Sequence, residues 1–359
     1  MQIKVTEKPY VDRGKLPKDE LQIGFGKIFT DHMFLMDFRN EQWLEPRIES
    51  FKNLQLPPTA AVLHYGQAIF EGMKAFHQEK TKGVSLFRPE MNAKRIIESA
   101  KRVDMAPIPE EYFLESLHKL VNLEKHWVPK ALGTALYIRP TEIATESLLG
   151  LRSSKEYLFY IFLSPVGPYF KEGFKPIKIY VEPFYVRAVK GGTGEAKTGG
   201  NYSASLLALQ KAFQVGCSQV MWLDAFEHKY VEEVGAMNQF FVIDDIIYTA
   251  PLAGTILRGV TRNSIIKIAN DQGYKVKEEF VSINDIIESI ESGSLTESFG
   301  AGTAASIAPV GILNYKEENY IINNNQVGPI STILYELLTG IQYGKIEDPY
   351  GWNVPVKEE

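Results

Sequence analysis

The sequence predicts a chain of α+β or mixed α/β class in two domains, and three observations carry that expectation. The 359 residues are 45% hydrophobic, enough for one large core or two ordinary ones. Strand-like and helix-like patterns alternate along the chain, without low-complexity tracts or the periods of solenoids and propellers. Ser164 to Pro176 mixes proline, glycine and aromatic residues as interdomain segments do. The expected division is a small α/β domain over 1–165, a linker over 166–176 and a larger domain over 177–359.

In the first half, Arg88-Pro89 opens a helix through Arg102, with proline at a first-turn position, and Pro109 opens another to about His126. TALYIRPTEI (134–143) and EYLFYIFLSPVG (156–167) are rich in β-branched and aromatic residues and read as strands. IKIYVEPFYV (177–186) is another strand, followed by a glycine-dense loop and a helix from about Asn201 to Val215 that stops at Gly216. QVMWLDA (219–225) reads as a buried strand, and residues 229–250 as hairpin strands turning at Asp244-Asp245. Thr261 is expected to cap one helix, and Ser282 with Asp285 to form a capping box on the next.

A formal net charge of -5 and the lack of an arginine-lysine block argue against nucleic acid and anionic lipid as partners, so small molecules are the expected ones. The single cysteine, Cys217, cannot form a disulfide, a thiolate zinc site or a redox pair within one chain, which fits a reducing compartment; no metal site is expected. The charged N-terminus has no signal-like apolar core, and no apolar run approaches bilayer length, so a soluble, cytoplasmic protein is expected.

GGTGEAKTGGNY (191–202) packs five glycines around Lys197. Gly191 to Thr198 come close to the phosphate-binding pattern G-x-x-x-x-G-K-[ST], with Asp224 at a strand end as a magnesium partner. Ala196 stands where the last glycine should be, and Gly199-Gly200-Asn201 interrupt the helix that should start at the lysine. An isolated stretch of this kind is ordinarily a mobile surface loop. The other mechanism is a Schiff-base lysine, which must be partly deprotonated and must face a cofactor. Pyridoxal phosphate needs an acid at its ring nitrogen and donors for its phosphate. Glu233, where a strand meets a glycine turn, is the candidate acid, with Glu232 on the opposite face. RGVTRNS (258–264) and FGAGTAAS (299–306) are candidate anion cradles of glycine and backbone N–H groups.

The ordered set FGKIFTDHM (25–33), LHYGQAIFEGMKAF (63–76), LFRPEMNAKR (86–95), YIRPTEIATESLLG (137–150), SPVGPYF (164–170), GGTGEAKTGGNY, EEVGAMN (232–238), LRGVTR (257–262), SFGAGTAA (298–305) and TGIQYGKIEDPYGW (339–352) resembles the branched-chain amino acid aminotransferases. These are fold-type IV pyridoxal-phosphate enzymes, and the resemblance covers nearly the whole chain. It implies that Lys197 carries pyridoxal 5'-phosphate as a Schiff base and shuttles the proton. It further implies that Glu233 pairs with the ring nitrogen, that Tyr202 bonds the phenolic oxygen, and that Arg88, Arg187, Val260, Thr261 and Thr303 hold the phosphate.

For the substrate, the resemblance places Phe25, Tyr65, Phe70, Tyr137, Tyr169 and Ala304 around an apolar pocket suited to leucine, isoleucine and valine. Thr303-Ala304 would receive the α-carboxylate. Arg139 would serve the distal carboxylate of glutamate or 2-oxoglutarate, since a ping-pong transaminase admits both partners to one site. Taken alone, the aromatics could be ordinary core and Arg139 a strand-end surface arginine. Some animal members carry a CxxC pair after the GTA segment; Ala305 and Ala308 exclude a thiol switch there. The resemblance also implies a homodimer. The alternatives are a D-amino acid aminotransferase or aminodeoxychorismate lyase of the same fold, a P-loop nucleotide-binding protein, and a non-catalytic relative.

Overall fold

The computed structural model describes residues 2–169 and 173–357, so the expected linker over 166–176 and the SPVGPYF segment lie partly outside the described residues. Two units emerge: Met1–Tyr169 with Ala196–Gly199 and Ile341–Glu359, and Phe170–Glu195 with Gly200–Gly340. The sequence division differs here, because it put Lys197 and the C-terminal residues in the second domain. Two pairings explain the difference. Lys197 is hydrogen-bonded through its main chain to Phe70 and Ser99, and the strand Asn353–Pro355 pairs with Val84–Phe87.

In the first unit the sheet runs, in spatial order, through Lys4–Val5, Arg47–Ser50, His32–Arg39, Tyr157–Val166, Ala135–Ala144, Met73–His77, Val84–Phe87 and Asn353–Pro355. The short strand Ala68–Phe70 pairs with one end of Ala135–Ala144. Side chains alternate across a strand, so Ala135–Ala144 serves two purposes. Leu136 and Ile138 enter a core with Phe34, Met36, Phe159 and Ile161, covered by Ile96 and Ala100 of the helix Pro89–Arg102 and by Phe113, Leu117 and Leu120 of the helix Glu110–Leu123. Tyr137, Arg139 and Thr141 point to the other face.

The second unit holds the other sheet, ordered Val231–Val234, Gln219–Leu223, Ile177–Val181, Ser306–Tyr315, Leu295–Gly302, Met237–Ile243, Ile246–Thr249 and Lys275–Glu278. Val231–Val234 also pairs with Met237–Ile243, so six of these strands close into a ring of hydrogen bonds, which removes their exposed edges. The Asp244-Asp245 turn has φ of 47° and 60°, the left-handed pair of a tight hairpin. Ser282 caps its helix by accepting the Asp285 N–H at 3.0 Å.

Several boundaries differ from the sequence reading, each for a local reason. The strand at 177 stops at Val181, ahead of Pro183, which has no N–H to give to a ladder. The helix expected from Asn201 is two pieces, Gly199–Ser203 and Leu206–Gln214. Gly259, not Thr261, is the N-cap residue of Val260–Asp271, and Thr261 is buried in its first turn. Phe299–Gly302, expected as part of an anion cradle, lies in a strand paired on both sides. Among the described residues no helix is long and apolar enough to cross a membrane.

One core residue breaks the apolar pattern. Glu142 stands opposite Ile69 and Phe159, fully buried, and neither carboxyl oxygen has a hydrogen-bond partner among the described residues. Burial pushes its carboxyl well above the ordinary value of 4.5. A raised folded value means that the native state holds a proton the unfolded chain has released. The stabilisation is therefore complete below 4.5 and declines as pH rises toward the folded value, by up to about 1.4 kcal/mol per pH unit. In chemical denaturation at pH 5.5 and pH 8, wild type should lose more stability than Glu142→Gln over that interval. Equal losses would contradict the burial of an acid here.

Candidate active site

The residues singled out from sequence fall in both units, and each unit positions its own set. In the first, Lys197 is held by its main chain. Its N–H donates to Ser99 Oγ at 2.9 Å, its carbonyl accepts the Phe70 N–H at 3.0 Å, and Thr198 forms an antiparallel bridge with Ile69. The Lys197 Nζ stands 4.8 Å from the centroid of the Phe70 ring. A lysine fixed in this way is no surface loop tip, because its neighbours limit where the amine can reach.

Phe70 also carries Arg139, whose guanidinium lies 4.7 Å from the same ring and 5.3 Å from that of Tyr137. Arg139 Nη2 donates to the Tyr137 hydroxyl at 3.0 Å, so it is part of an aromatic cluster rather than a strand-end surface residue. Phe25 packs edge-on against Tyr137 at 5.0 Å and Tyr169 at 5.5 Å. A Cβ on Gly72 would overlap the Tyr137 hydroxyl, so only glycine admits the ring in this position. Phe25, Phe70, Tyr137, Arg139 and Tyr169 therefore come together. Tyr65 ends the short helix Ala61–Tyr65, 41% exposed, with its hydroxyl donating to the Leu149 carbonyl.

Arg88 precedes the helix Pro89–Arg102 with a left-handed φ of 50°. Its guanidinium lies 4.7 Å from the Trp352 ring centroid, and its N–H donates to the Trp352 carbonyl at 2.8 Å. Burial, partly offset by Glu90, lowers its guanidinium from the ordinary value.

The second unit builds the acid. Glu233, 3% exposed on the strand Val231–Val234, accepts the Leu257 N–H at 2.9 Å and Asn238 Nδ2 at 3.1 Å on Oε1. Its Oε2 lies 2.9 Å from Arg187 Nε, an ion pair in which the N–H is not aligned for a hydrogen bond. Arg187 Nη2 donates to the Gly194 carbonyl at 3.0 Å and to that of Thr255. The residue expected at a phosphate is thus engaged with the acid and with two main-chain carbonyls. Glu232 is also buried, and burial raises its carboxyl despite Thr255 and Arg187.

Asn238 ties Glu233 to a helix start, since its Nδ2 also donates to the Leu257 carbonyl at 3.1 Å. Three residues later Val260–Asp271 begins with no side-chain cap, leaving first-turn N–H groups at its positive end. Thr303 and Ala304 sit in the turn joining Leu295–Gly302 to Ser306–Tyr315. Tyr202 lies in the helix Gly199–Ser203, and the glycine loop before it is closed by Thr193 Oγ1 to Asn201 Oδ1 at 2.7 Å and Asn201 Nδ2 to the Thr193 carbonyl at 2.8 Å.

Asp224 does not behave as a magnesium partner. Its carboxylate accepts the N–H groups of Phe226, Glu227, Lys229 and Tyr230, and those bonds overcome burial to hold it below the usual range.

Sequence reasoning missed Glu71, fully buried and bonded to Arg95 and Asn92, and Lys74, which pairs in register with Tyr137 and so shares its face. Burial pushes the Lys74 amine down to about 8. The spacing of Asn92, Arg95 and Ser99 on one helix was the available signal for Glu71.

Comparison with known proteins follows the same lines. The family model described as amino-transferase class IV matches residues 68–312. Branched-chain-amino-acid transaminase 1 of Bacillus subtilis is 51% identical over 340 residues, covering 94% of this chain and 95% of the relative. The branched-chain amino acid aminotransferase of Escherichia coli superposes with a TM-score of 0.76 at 25% identity, over 91% of this chain and 99% of that one. A further branched-chain amino acid aminotransferase, solved in complex with N-(5'-phosphopyridoxyl)-L-glutamate, superposes at 0.73 and 26% identity, over 90% and 98%.

The Asn238 link has a direct check. A Cβ on Gly259 would overlap Asn238 Oδ1. Gly259→Ala should therefore displace Asn238 from both partners and cost about 1–3 kcal/mol in urea denaturation. An unchanged midpoint would show that Asn238 does not join the acid to the helix.

Proposed function

Since the chain belongs to the amino-transferase class IV family, and within it to the branched-chain-amino-acid aminotransferases, it is a transaminase, and we propose that it transfers the amino group between L-leucine, L-isoleucine or L-valine and 2-oxoglutarate on a pyridoxal 5'-phosphate held by Lys197. The observation that carries this reading is the main-chain fixation of Lys197 beside Phe70, in the same cluster as Arg139 and Tyr137.

The donor set suits the cofactor. A helix start without a side-chain cap suits a phosphate dianion, and a buried carboxylate already held by two donors and an arginine suits a protonated ring nitrogen. When bound, pyridoxal phosphate supplies an electron sink for the bond broken at the substrate Cα. Val260, Thr261, Thr303 and Arg88 would hold the phosphate and Tyr202 the phenolic oxygen. Arg187, engaged with Glu233, favours that carboxylate in its charged form, which is the form a ring N–H requires.

The Lys197 nitrogen would take the proton from Cα and return it, the task of a general base and acid within reach of one atom. Phe25, Phe70, Tyr137 and Tyr169, with Tyr65 and Ala304, would bury the branched side chain, where methyl groups gain and polar groups lose their water. The Thr303-Ala304 main chain would take the α-carboxylate. Arg139 would pair with the distal carboxylate of 2-oxoglutarate or glutamate. The reading includes a homodimer whose partner subunit completes the pocket.

Steady-state assays with each branched amino acid and 2-oxoglutarate test it, against D-alanine as the substrate of the same-fold alternative. Turnover of L-leucine without D-alanine supports the reading, and the reverse overturns it. Lys197→Ala should abolish both turnover and the visible absorbance of the loaded protein. Arg139→Met should raise KM for 2-oxoglutarate at least about tenfold, the cost of leaving one carboxylate without its charge partner, while the half-reaction with leucine changes only a few-fold. Equal loss in both half-reactions would remove Arg139 from the distal carboxylate.

A further inference from the structure

Away from the aromatic cluster, the first unit holds a cavity of about 480 Å³ lined by three lysines, Lys82, Lys125 and Lys130, and two histidines, His77 and His126. Among the described residues no acid lines it. Its place follows from strand alternation. His77 ends the strand Met73–His77 with the parity of Met73 and Ala75, which enter the helix-covered core, whereas Lys74 pairs with Tyr137 and shares the other face. The helix Glu110–Leu123 covers the His77 face and supplies Asn122 to the cavity from its last turn. The cavity is therefore across the sheet from Tyr137 and Arg139, and transamination gives it no task.

Separate segments bring the basic groups together. The turn after His77 is closed by the Gln78 N–H to the Gly83 carbonyl at 2.9 Å and the Lys82 N–H to the Gln78 carbonyl at 2.8 Å, which sets Lys82 close to the strand end. Lys82 holds a left-handed φ of 60°, a conformation that glycine or asparagine takes more easily. Lys125 and His126 lie in the short turn Lys125–Trp127, and the Lys130 N–H is held by Glu20 Oε2 at 2.7 Å. Burial and then the Lys130 and Lys82 amines lower the His77 imidazole from its ordinary value, against Glu20. Two carboxylates approach these groups, and both have other partners. Glu20 Oε2 accepts the Lys130 and Ala131 N–H groups, and Asp31, 3.8 Å from His126 Nε2, pairs with Lys8 at 3.0 Å.

Amines that share a cavity without an acid repel one another, and an anion relieves that repulsion. A planar carboxylate is matched best by a guanidinium fork, and among the described residues no arginine lines this cavity; lysine amines are point charges that suit phosphate oxygens. Val84 and Val356 add apolar wall, and Asn122 adds an amide whose Oδ1 is buried with no hydrogen-bond partner among the described residues. The volume suits a small metabolite. We infer that this cavity binds a small phosphate-bearing molecule, its phosphate held by Lys82, Lys130 and the two imidazoles and its carbon body lying against the valines.

The test is calorimetric titration, in phosphate-free buffer, of the full chain loaded with pyridoxal phosphate, so that the cofactor's own phosphate locus is filled. The probes are glycerol 3-phosphate, inorganic phosphate and succinate. Glycerol 3-phosphate should bind at about one per chain and at least about tenfold more tightly than succinate. The double variant Lys82→Gln, Lys130→Gln, made at two exposed positions, should weaken that binding at least about tenfold and leave transamination of leucine within about twofold of wild type. If the double variant does not fold, Lys82→Glu alone, which reverses one charge in the turn, should weaken it as much. Succinate bound as tightly as glycerol 3-phosphate, or phosphate binding that neither variant changes, overturns the inference. Inorganic phosphate bound as tightly as the ester overturns the part given to the valines.

Discussion

Everything chemical in the first unit depends on two main-chain hydrogen bonds at Lys197, one donated to Ser99 and one accepted from Phe70. They convert a glycine-dense segment, which would otherwise sample many conformations, into a lysine with a fixed root. The residues on either side of that root belong to other purposes. Ser99 is part of a helix whose apolar face packs the core through Ile96 and Ala100, and Phe70 ends a strand that extends the sheet. Core packing and amine placement are therefore coupled: a shift of the helix against the sheet moves the amine with it.

The second unit solves a different problem, that of giving a carboxyl its partners away from water. Glu233 does so with a main-chain N–H, an amide and a guanidinium, each supplied by a separate element. Asn238 and Gly259 make this geometry narrow, because the amide that holds the acid also sets how closely the start of the helix Val260–Asp271 approaches. Buried Glu142 has none of these partners and takes the opposite course, its carboxyl pushed toward the neutral form. Two fully buried carboxyls, Glu71 and Glu142, thus shift in opposite directions because of their neighbours and not their depth.

Much of this was legible in the sequence. The strands around Tyr137 and Tyr157 announce themselves by β-branched and aromatic runs, and Arg88-Pro89 marks a helix start by proline chemistry. The glycine-dense segment singled out Lys197, the strand end at a glycine turn singled out Glu233, and motif resemblance led to Arg139. What stayed hidden depends on contacts between segments distant in the chain. Glu71 and Arg95 are 24 residues apart, and nothing at either position alone signals a bonded pair. Arg187 has the composition of a phosphate ligand, yet its nearest charge is Glu233, 46 residues on, as only the folded strand arrangement reveals. The helix cap went to Gly259 because Asn238 crowds that position, a tertiary constraint that outranks the local preference for threonine. The C-terminal strand joined the first unit by pairing with Val84–Phe87, a contact spanning most of the chain.

The central claim, that the anchored lysine is the one that bonds the cofactor, is tested most directly by borohydride reduction of the protein loaded with pyridoxal phosphate, followed by peptide mapping. The label is expected on Lys197, in the peptide containing GGTGEAKTGGNY, at about one per chain. A label on Lys74 or Lys190, or spread over many lysines, would contradict it.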